Sequence, residues 1–382
     1  MEKTSKIKYK DFDVTIVGAG FAGLACAMRA ASLGLKVCIL EKKEDLSQRI
    51  HTTGLIVKEA ADEWGFPEHL VRKIPGVRLY TPSLKTLDLS SPGYYFLATD
   101  TPAFMVWLGE SAVKDFGVKI FYNSPWQGAT LHDDYILLEK HGIKTKYLIG
   151  ADGAKSSVAR SFNLDQNKKF LFGIENEYKA APFEDDFLHC FLDSKLAPGY
   201  IAWVIPGVNC YQVGLACTKS EEVRMKAFLE KLSERYGFNP DSILEKRRGL
   251  IPVGGPLKNI SVEDRVILIG DSAGMVSPLT GGGIYTALHY GRLSGDLLYR
   301  KISGEGINIT RELQKAFPSY FWKKQLRRFM RLHPPNFLYN ITLGTPLRGF
   351  AQAVYFHSRG IFSKQFWKDV PKSLFRKSRN RK

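Results

Sequence analysis

Residues 12–41, FDVTIVGAGFAGLACAMRAASLGLKVCILE, constrain the fold more than any other stretch of the chain. They predict a strand, a tight glycine turn, an alanine-rich helix and a second strand. Gly18 permits the tight bend, Gly20 lets a pyrophosphate approach the backbone, and Gly23 lets the helix pack closely on the strand. Glu41 ends the second strand, where a carboxylate can accept hydrogen bonds from a ribose. The stretch therefore predicts dinucleotide binding, with a glycine-rich loop in an ordinary α/β domain as the alternative.

The remaining chain reads as further pieces of the nucleotide-binding domain with a second sheet between them. A buried strand at 147–150 runs into an acidic glycine turn, and another at 266–271 ends in an acid. Between them, residues 170–218 alternate in polarity as antiparallel strands do. We predict a nucleotide-binding domain over 1–76, 99–169 and 256–305, a substrate-binding β-sheet domain over 77–98 and 170–255, and a basic, aromatic helical region over 306–382.

The positive charge of the chain is concentrated in its last fifth. The formal net charge is +17, and residues 312–382 hold 16 Lys and Arg against two acidic residues, a net charge of +14. Phenylalanine and tryptophan are interleaved with these basic residues. Such a segment fits an anionic membrane surface. No nucleic-acid module is recognisable, so we expect no nucleic-acid partner. A solvated basic face with a frayed tail is the alternative.

Other features of the sequence point to a cytoplasmic protein. The N-terminus MEKTSKIKYKD is too polar for a signal peptide, and we find no credible transmembrane helix. The five cysteines form no C-x-x-C pair, which favours reduced thiols. No histidine or cysteine spacing indicates a metal. We expect a cytoplasmic protein, peripheral on the inner face of the membrane.

Three glycine motifs occur in a characteristic order. They are Gly18 to Gly23, then Gly150-Ala151-Asp152-Gly153, then Gly270-Asp271 followed by Gly281-Gly282-Gly283. This set resembles the FAD-dependent oxidoreductases of the glutathione-reductase-like superfamily, in the branch that holds para-hydroxybenzoate hydroxylase. The resemblance implies an α/β fold: a Rossmann-like FAD-binding domain, an inserted, mostly antiparallel β-sheet substrate domain, and a helical C-terminal region. It also implies FAD as the cofactor.

The resemblance further implies which residues hold FAD. The expected cofactor-binding residues are Gly18, Ala19, Gly20, Phe21, Ala22, Gly23, Glu41, Lys42, Arg49, Ala129, Asp152, Gly270, Asp271, Gly281, Gly282, Gly283 and Ile284. Among them, Glu41 would hold the adenosine ribose and Ala129 would meet the adenine through backbone groups. Asp152, with Arg160 shortly after it, would brace the pyrophosphate region.

The last motif would serve the flavin end of the cofactor. Asp271 resembles the acid that holds the ribityl or pyrophosphate part of FAD, with a helix-capping acid as the alternative. Residues 281–284 would begin a helix whose N–H groups face the N1/O2 edge of the flavin. Negative charge builds at that edge on reduction, so a helix N-terminus would stabilise the reduced form.

Finer features resemble the geranylgeranyl reductase family. Gly274, Pro278 and the Thr280 to Ile284 run match its G-D-A-A-G…P…G-G-G-I block, whereas aromatic hydroxylases usually have histidine at the position of Gly274. The run PGYIAWVIP at 198–206, followed by Val-Gly at 213–214, resembles its Y-x-W-x-F-P…V-G signature. The resemblance implies roles for Tyr200 and Trp203 at the substrate. Trp203 would wall an apolar tunnel above the flavin or, alternatively, be an ordinary core tryptophan.

Two departures from the family pattern bear on the chemistry. Family members often have a cysteine-glycine loop near the flavin, where this chain has residues 49–54, RIHTTG. His51 in that loop is a candidate proton donor, with a loop histidine of no catalytic role as the alternative. The run 201–206 also half-matches the W-x-W-x-I-P pattern of flavin-dependent halogenases, but Ile201 replaces its first tryptophan.

Three functions follow from this resemblance. The first is an FAD-dependent oxidoreductase that reduces C=C bonds of an isoprenoid or prenyl-lipid substrate by hydride transfer from reduced flavin. The second is an FAD-dependent monooxygenase or halogenase acting on an aromatic or polyketide-like substrate, and the third is a membrane-docked flavin-binding protein. Because no second G-x-G-x-x-G is present, NAD(P)H or another reductant would visit transiently as electron donor.

Overall fold

The computed structural model describes residues 9–183, 186–219, 223–342, 351, 354 and 355. The strands are β1 (Lys10–Val17), β2 (Val37–Leu40), β3 (Leu55–Val57), β4 (Val71–Ile74), β5 (Gly76–Tyr80), β6 (Thr86–Ser90), β7 (Phe96–Thr99), β8 (Lys119–Phe121), β9 (Thr130–Leu131), β10 (Ile136–Leu138), β11 (Ile143–Gly150), β12 (Phe170–Tyr178), β13 (Phe187–Phe191), β14 (Ala202–Pro206), β15 (Tyr211–Cys217), β16 (Ile243–Pro252), β17 (Ser261–Val262) and β18 (Val266–Leu268). The helices are α1 (Phe21–Ser32), α2 (Lys58–Trp64), α3 (Thr101–Lys114), α4 (Ser157–Ser161), α5 (Met225–Tyr236), α6 (Ile284–Ile302), α7 (Ile309–Ala316), α8 (Phe321–Met330) and α9 (Asn336–Thr342).

The chain forms two compact units, and the first contains the glycine motifs. It comprises the described part of Met1–Ile50 together with Thr101–Phe170 and Ile251–Lys324. Its main sheet has the order β17-β18-β11-β1-β2-β8, and β1 runs parallel to both β11 and β2. β2 and the second half of β1, residues 14–17, are buried at every position, and apart from Thr15 their residues are apolar, as in central parallel strands.

The predicted strand–turn–helix–strand unit is confirmed as β1, α1 and β2. Small alanines let α1 lie close to the sheet and to α6, and Arg29 of α1 forms an ion pair with Asp296 of α6 at 2.6 Å. Gly34 follows the helix with φ +90°, a conformation that ends helices and favours glycine. A hairpin turns around residues 141–142, where β10 pairs antiparallel with β11.

The second unit is built on an antiparallel sheet. It comprises His51–Asp100, Leu171–Leu250 and the described part of Gln325–Lys382. Its main sheet has the order β16-β12-β15-β14-β13-β5-β6. The pairs β12–β15, β15–β14, β14–β13 and β5–β6 are antiparallel, and the pair β13–β5 is parallel. One face of this sheet packs under α5 through a core of buried side chains. That core includes Tyr80, Tyr178, Phe191, Val204, Val213, Phe228 and Leu232.

The units divide the chain at different points from the predicted domains. Residues 51–76 lie in the second unit, where β3 and β4 both pair with β7. The predicted C-terminal region 306–382 is divided between the units near Lys324. Its described part contains α7, α8 and α9, and most of the predicted tail beyond 342 lies outside the described residues. Among the residues described, no helix is both long and apolar enough to cross a membrane.

Candidate functional site

The glycine turn between β1 and α1 leaves open space at one position only among its three motif glycines. A Cβ on Gly18, which has φ +102°, would lie 2.5 Å from the carbonyl oxygen of Ala151, and a Cβ on Gly23 would collide with the carbonyl oxygen of Gly18. A Cβ on Gly20 would meet nothing within 4 Å. Two glycines are therefore needed for packing, and the third leaves room at the helix end. This arrangement fits a pyrophosphate brought against the backbone at Gly20.

The N-terminus of α1 is suited to hold negative charge. Gly20 is its N-cap, no side chain caps its first N–H groups, and the first turn contains no acidic residue. The predicted residues Phe21 and Ala22 are the first two residues of this helix. The N–H groups and the positive end of the helix dipole are thus available to the phosphates of a dinucleotide.

Glu41, directly after β2, lies against the glycine turn between β1 and α1. Its carboxylate is buried, with Oε2 accepting the Ala19 N–H at 2.7 Å and Oε1 accepting the Lys43 N–H at 2.9 Å. These bonds join the end of β2 to the glycine turn. Each carboxylate oxygen keeps a further lone pair for a ribose hydroxyl. Of the other predicted residues nearby, Lys42 and Arg49 are exposed.

Two more predicted residues lie in the first unit near strand ends. Asp152 follows β11, and its Oδ2 accepts the N–H groups of Ser157 at 2.6 Å and Val158 at 3.1 Å. It therefore fixes the start of α4, while its buried Oδ1 has no hydrogen-bond partner among the described residues. Arg160 bonds within its own segment, to Ser157 and the Lys155 carbonyl. Ala129 is half-buried in the segment before β9.

Asp271 occupies the short turn Gly270–Ala273 after β18. The amide of Asn167 donates to its backbone carbonyl at 2.8 Å, and its side chain caps neither this turn nor α6. The helix-capping alternative is thus wrong. Helix α6 begins at Ile284 after Gly281, Gly282 and Gly283, as predicted, and it too lacks a side-chain cap. Burial raises the pKa of Asp271 to about 6.

We expect replacement of Asp271 by asparagine to stabilise the flavin-free protein at neutral pH. Its folded pKa of about 6 exceeds the ordinary aspartate pKa of 3.8, so folding favours the protonated acid and wild-type stability falls as pH rises through 6. Because asparagine does not ionise, Asp271→Asn removes this loss. We expect it to raise the free energy of unfolding by about 1–3 kcal/mol above pH 7 and by less toward pH 4. Thermal unfolding of both proteins at pH 5 and 7.5 measures it. We expect the difference in Tm between Asp271→Asn and wild type to be larger at pH 7.5 than at pH 5. The exposed control Asp133→Asn should show no such change with pH. An equal effect of Asp271→Asn at both pH values would contradict the raised pKa of Asp271.

In the second unit, Trp203 and Gly214 of the predicted signature face each other. They are paired residues on β14 and β15, and the indole ring lies over Gly214, where a Cβ would approach the ring to 2.6 Å. Trp203 is buried, and its Nε1 donates to Glu175 Oε2 at 2.8 Å. Ala202 and Val204 belong to the core under α5, so Trp203 lies on the opposite face of the sheet, as the strand period predicted.

Beside Trp203 lies a carboxylate–arginine cluster that sequence reasoning missed, formed by Glu175, Glu177, Glu245 and Arg247. Arg247 is 3% exposed. It approaches Glu177 at 2.6 Å, Glu245 at 2.9 Å and Glu175 at 3.7 Å. Burial raises the pKa of both Glu175 and Glu177. The only signal in the sequence was the pair of acids at 175 and 177 in β12, a strand whose other residues are apolar or glycine except for Asn176.

The two other residues predicted to act on substrate also lie in the second unit. His51 is exposed, and its Nδ1 donates to the Arg248 carbonyl at 2.8 Å, which leaves Nε2 to exchange a proton. Tyr200 precedes β14 and lies beside Arg327 of α8, whose guanidinium carbon is 5.7 Å from the ring centroid. Burial raises the pKa of Tyr200, so its phenol stays protonated.

Comparison with known proteins agrees with the motifs. A model described as FAD dependent oxidoreductase matches residues 13–100, and one described as FAD binding domain matches 136–307. A digeranylgeranylglycerophospholipid reductase of Methanocaldococcus jannaschii is 27% identical, over 84% of this chain and 85% of the relative. A digeranylgeranylglycerophospholipid reductase 2 of Methanopyrus kandleri is 29% identical, over 75% and 76%.

Solved structures share the fold of this chain. A geranylgeranyl bacteriochlorophyll reductase-like protein from Thermoplasma acidophilum has a TM-score of 0.78 at 18% identity, covering 96% of this chain and 97% of that chain. A flavin-dependent brominase has a TM-score of 0.67 at 14% identity, covering 95% and 99%. Reductase-like and halogenating flavoproteins therefore share this architecture, and the fold alone does not separate them.

Proposed function

We propose that this chain, which is an FAD-dependent oxidoreductase of the geranylgeranyl reductase family, reduces C=C bonds of a prenyl-lipid substrate. One observation carries the proposal. The relatives named as digeranylgeranylglycerophospholipid reductases align over three-quarters or more of both chains, so the similarity extends beyond the glycine motifs into the second unit. NAD(P)H or another reductant would supply the electrons.

The residues of the first unit would hold and tune the cofactor. When bound and reduced, FAD supplies the hydride for the alkene. The turn at Gly20 and the N-terminus of α1 would bind the pyrophosphate, and Glu41 would bind the ribose. The uncapped N-terminus of α6, a helix of 19 residues, offers N–H groups to negative charge on the flavin.

The second unit would supply the substrate contacts and the proton. Hydride addition to one alkene carbon leaves the other carbon to take a proton, so the reaction needs an acid. We propose His51 Nε2 for this role, since Nδ1 is held by the Arg248 carbonyl. We propose that Trp203 contributes an apolar wall on its face of the sheet.

An anaerobic experiment tests the function. The purified protein's flavin is reduced without O₂, mixed with a geranylgeranyl lipid, and followed by absorbance of the oxidised flavin band. We expect prompt reoxidation together with a reduced lipid product. Reoxidation only after air enters, with consumption of O₂ that increases with substrate, would instead support the monooxygenase or halogenase alternative, whose fold the brominase shares.

We also propose that the protein associates peripherally with an anionic membrane surface on its cytoplasmic side. Helix α8 and the residues just after it present apolar side chains next to basic ones. Phe321, Trp322 and Phe329 of α8 are about half exposed, and Leu332 just after it is 79% exposed. Lys324, Arg328 and Arg331 lie among them. Aromatic and basic residues together favour the lipid headgroup region.

Replacing two of these apolar side chains should weaken vesicle binding. Phe329→Ala combined with Leu332→Ala removes area that would be buried in lipid, so we expect affinity for phosphatidylglycerol vesicles to fall by about 10- to 100-fold. Sedimentation with vesicles at low and high salt measures this. Leu244→Ala is the matched control, because Leu244 on β16 is 57% exposed and lies outside this segment. Equal losses in both variants would contradict the assignment.

A further inference from the structure

Arg327 of α8 is a buried cation that has no acidic partner in the part of the chain that the structure describes. Arg327 is 4% exposed, and its Nη1 donates to the carbonyl of Gly199 at 2.6 Å. Nε and Nη2 are buried and have no hydrogen-bond partner among the described residues. No carboxylate of the described chain lies within 4.0 Å of the guanidinium, although most other buried or half-buried arginines here have one.

Among the described residues, the surroundings of Arg327 do not supply a negative charge. Tyr200 lies under the guanidinium, and burial keeps its phenol protonated by raising its pKa. Arg331, a second cation, lowers the pKa of Arg327 further after burial itself. Burying an unpaired charge is strongly unfavourable, and proteins usually pair such groups. A guanidinium also cannot relieve this by losing its proton. The site is therefore incomplete without an anion.

The geometry of the unpartnered atoms specifies the kind of anion. Nε and Nη2 form one edge of the planar guanidinium, with both N–H groups directed the same way. This edge matches two oxygens of a phosphate or carboxylate. The bond from Nη1 to the Gly199 carbonyl fixes the plane, so the edge is held in place before any ligand arrives.

We propose that the Nε–Nη2 edge of Arg327 binds the phosphate of a lipid headgroup. The proposal rests on the proposed function, since it names the headgroup of that substrate. Two features favour lipid phosphate over a free ion. Arg327 lies on the helix that exposes Trp322 and Phe329 to solvent, and Gly199 and Tyr200 belong to the run that leads into Trp203. The headgroup site would thus connect the exposed lipid-binding helix with the strand that carries Trp203.

Thermal unfolding of the full chain tests the site without requiring activity. The ligands are dihexanoyl phosphatidic acid below its micelle concentration, dihexanoylglycerol and inorganic phosphate. We expect phosphatidic acid to raise the wild-type Tm and dihexanoylglycerol to leave it unchanged. Arg327→Met should have a higher Tm than wild type without ligand, because the unpaired charge is gone, and should show no response to phosphatidic acid. Arg327→Lys should retain a reduced response.

Each other outcome overturns the proposal. A lower Tm of Arg327→Met with an unchanged ligand response would make Arg327 a structural residue. An equal response of wild type to inorganic phosphate and phosphatidic acid would overturn the lipid assignment in favour of a free ion. Arg235→Met is the matched control in the same unit, since Arg235 in the last turn of α5 is exposed and lies outside the proposed lipid-binding segment, and it should keep the full response.

A kinetic comparison separates failure of this site from failure of the proposed function. We expect Arg327→Met to lower the ratio of kcat/KM for geranylgeranyl phosphate over geranylgeraniol by about 10- to 100-fold, as for loss of a charged hydrogen-bond pair. An unchanged ratio would overturn the headgroup role. If wild type reduces neither substrate, the proposed function fails, and the unfolding experiment still decides whether Arg327 binds phosphate.

Discussion

Replacing Gly20 by valine should abolish FAD retention and leave the protein folded. Gly20 has φ −80° and ψ −179°, an extended conformation that valine adopts readily, and its Cβ would meet no neighbouring atom. The side chain would instead fill the space through which a pyrophosphate approaches the N–H groups of α1. We expect at least a 100-fold loss of FAD affinity, since the backbone contacts depend on this approach.

Gly23→Ala is the matched comparison within the same turn. Its Cβ would collide with the carbonyl oxygen of Gly18, which cannot move without disrupting the packing of β1 and α1. We expect it to destabilise the protein by several kcal/mol, since overpacking alone costs about 1–3 kcal/mol and here the obstacle is backbone. The flavin absorbance ratio of the purified proteins, with circular dichroism of each, measures both effects.

The two variants should fail in different ways. Gly20→Val should retain the wild-type circular dichroism spectrum and lack flavin, whereas Gly23→Ala should lose both cooperative unfolding and flavin. Full flavin occupancy in folded Gly20→Val would contradict the placement of the cofactor at this turn. Loss of fold in Gly20→Val would contradict the open space that the structure shows beside it.

The contrast between these glycines also shows what the sequence could predict. A glycine motif encodes its backbone directly, so the turn, α1 and β2 could be derived from 30 consecutive residues. The period of two along β14 likewise separates Trp203 from Ala202 and Val204, which belong to the core under α5. In each case the interacting residues are close in sequence or share a strict period.

Interactions between distant residues could not be predicted in this way. Glu175 and Arg247 lie on different strands, and nothing in either local pattern indicates that they meet. Trp203 and Gly214 were both identified from one signature, yet only the register of β14 and β15 shows that the glycine makes room for the ring. Residues 51–76 were predicted to lie in the first domain, whereas the structure places them in the second unit. The prediction failed because β3 and β4, which they contain, pair with β7, a strand that is distant in sequence.

Arg327 illustrates a further limit. From the sequence we predicted that the basic residues of 312–382 form one exposed surface, because arginine is rarely fully buried and its charge usually stays in water. The structure instead buries Arg327 against Tyr200 and leaves its neighbour Arg328 exposed. Composition therefore predicted the exposed part of α8 and missed the residue that carries the headgroup proposal.

The carboxylate–arginine cluster gives a large expected effect on stability that depends on pH. Arg247 is the cation that faces Glu175, Glu177 and Glu245, and it is almost fully buried. Arg247→Met would leave buried carboxylates without a counter-charge, so we expect a loss of about 3–5 kcal/mol in the free energy of unfolding at pH 8. Urea unfolding followed by tryptophan fluorescence measures it.

This loss should diminish in acid, and the sign follows from the protonation of the two glutamates. Burial already raises the pKa of Glu175 and Glu177, and removing Arg247 raises them further. Acids with a raised folded pKa destabilise the fold as pH rises through that pKa, so the stability of Arg247→Met should lie closer to that of wild type at pH 5 than at pH 8.

Adding Glu175→Gln and Glu177→Gln to Arg247→Met should restore much of the stability at pH 8, because the uncompensated charges are then gone. Arg300→Met, which breaks an ion pair whose side chains are 46% and 48% exposed, is the control and should change the free energy of unfolding little, because solvent screens this pair. Equal costs for Arg247→Met and Arg300→Met, or a cost of Arg247→Met that does not change with pH, would show that the cluster is not charged as its geometry requires.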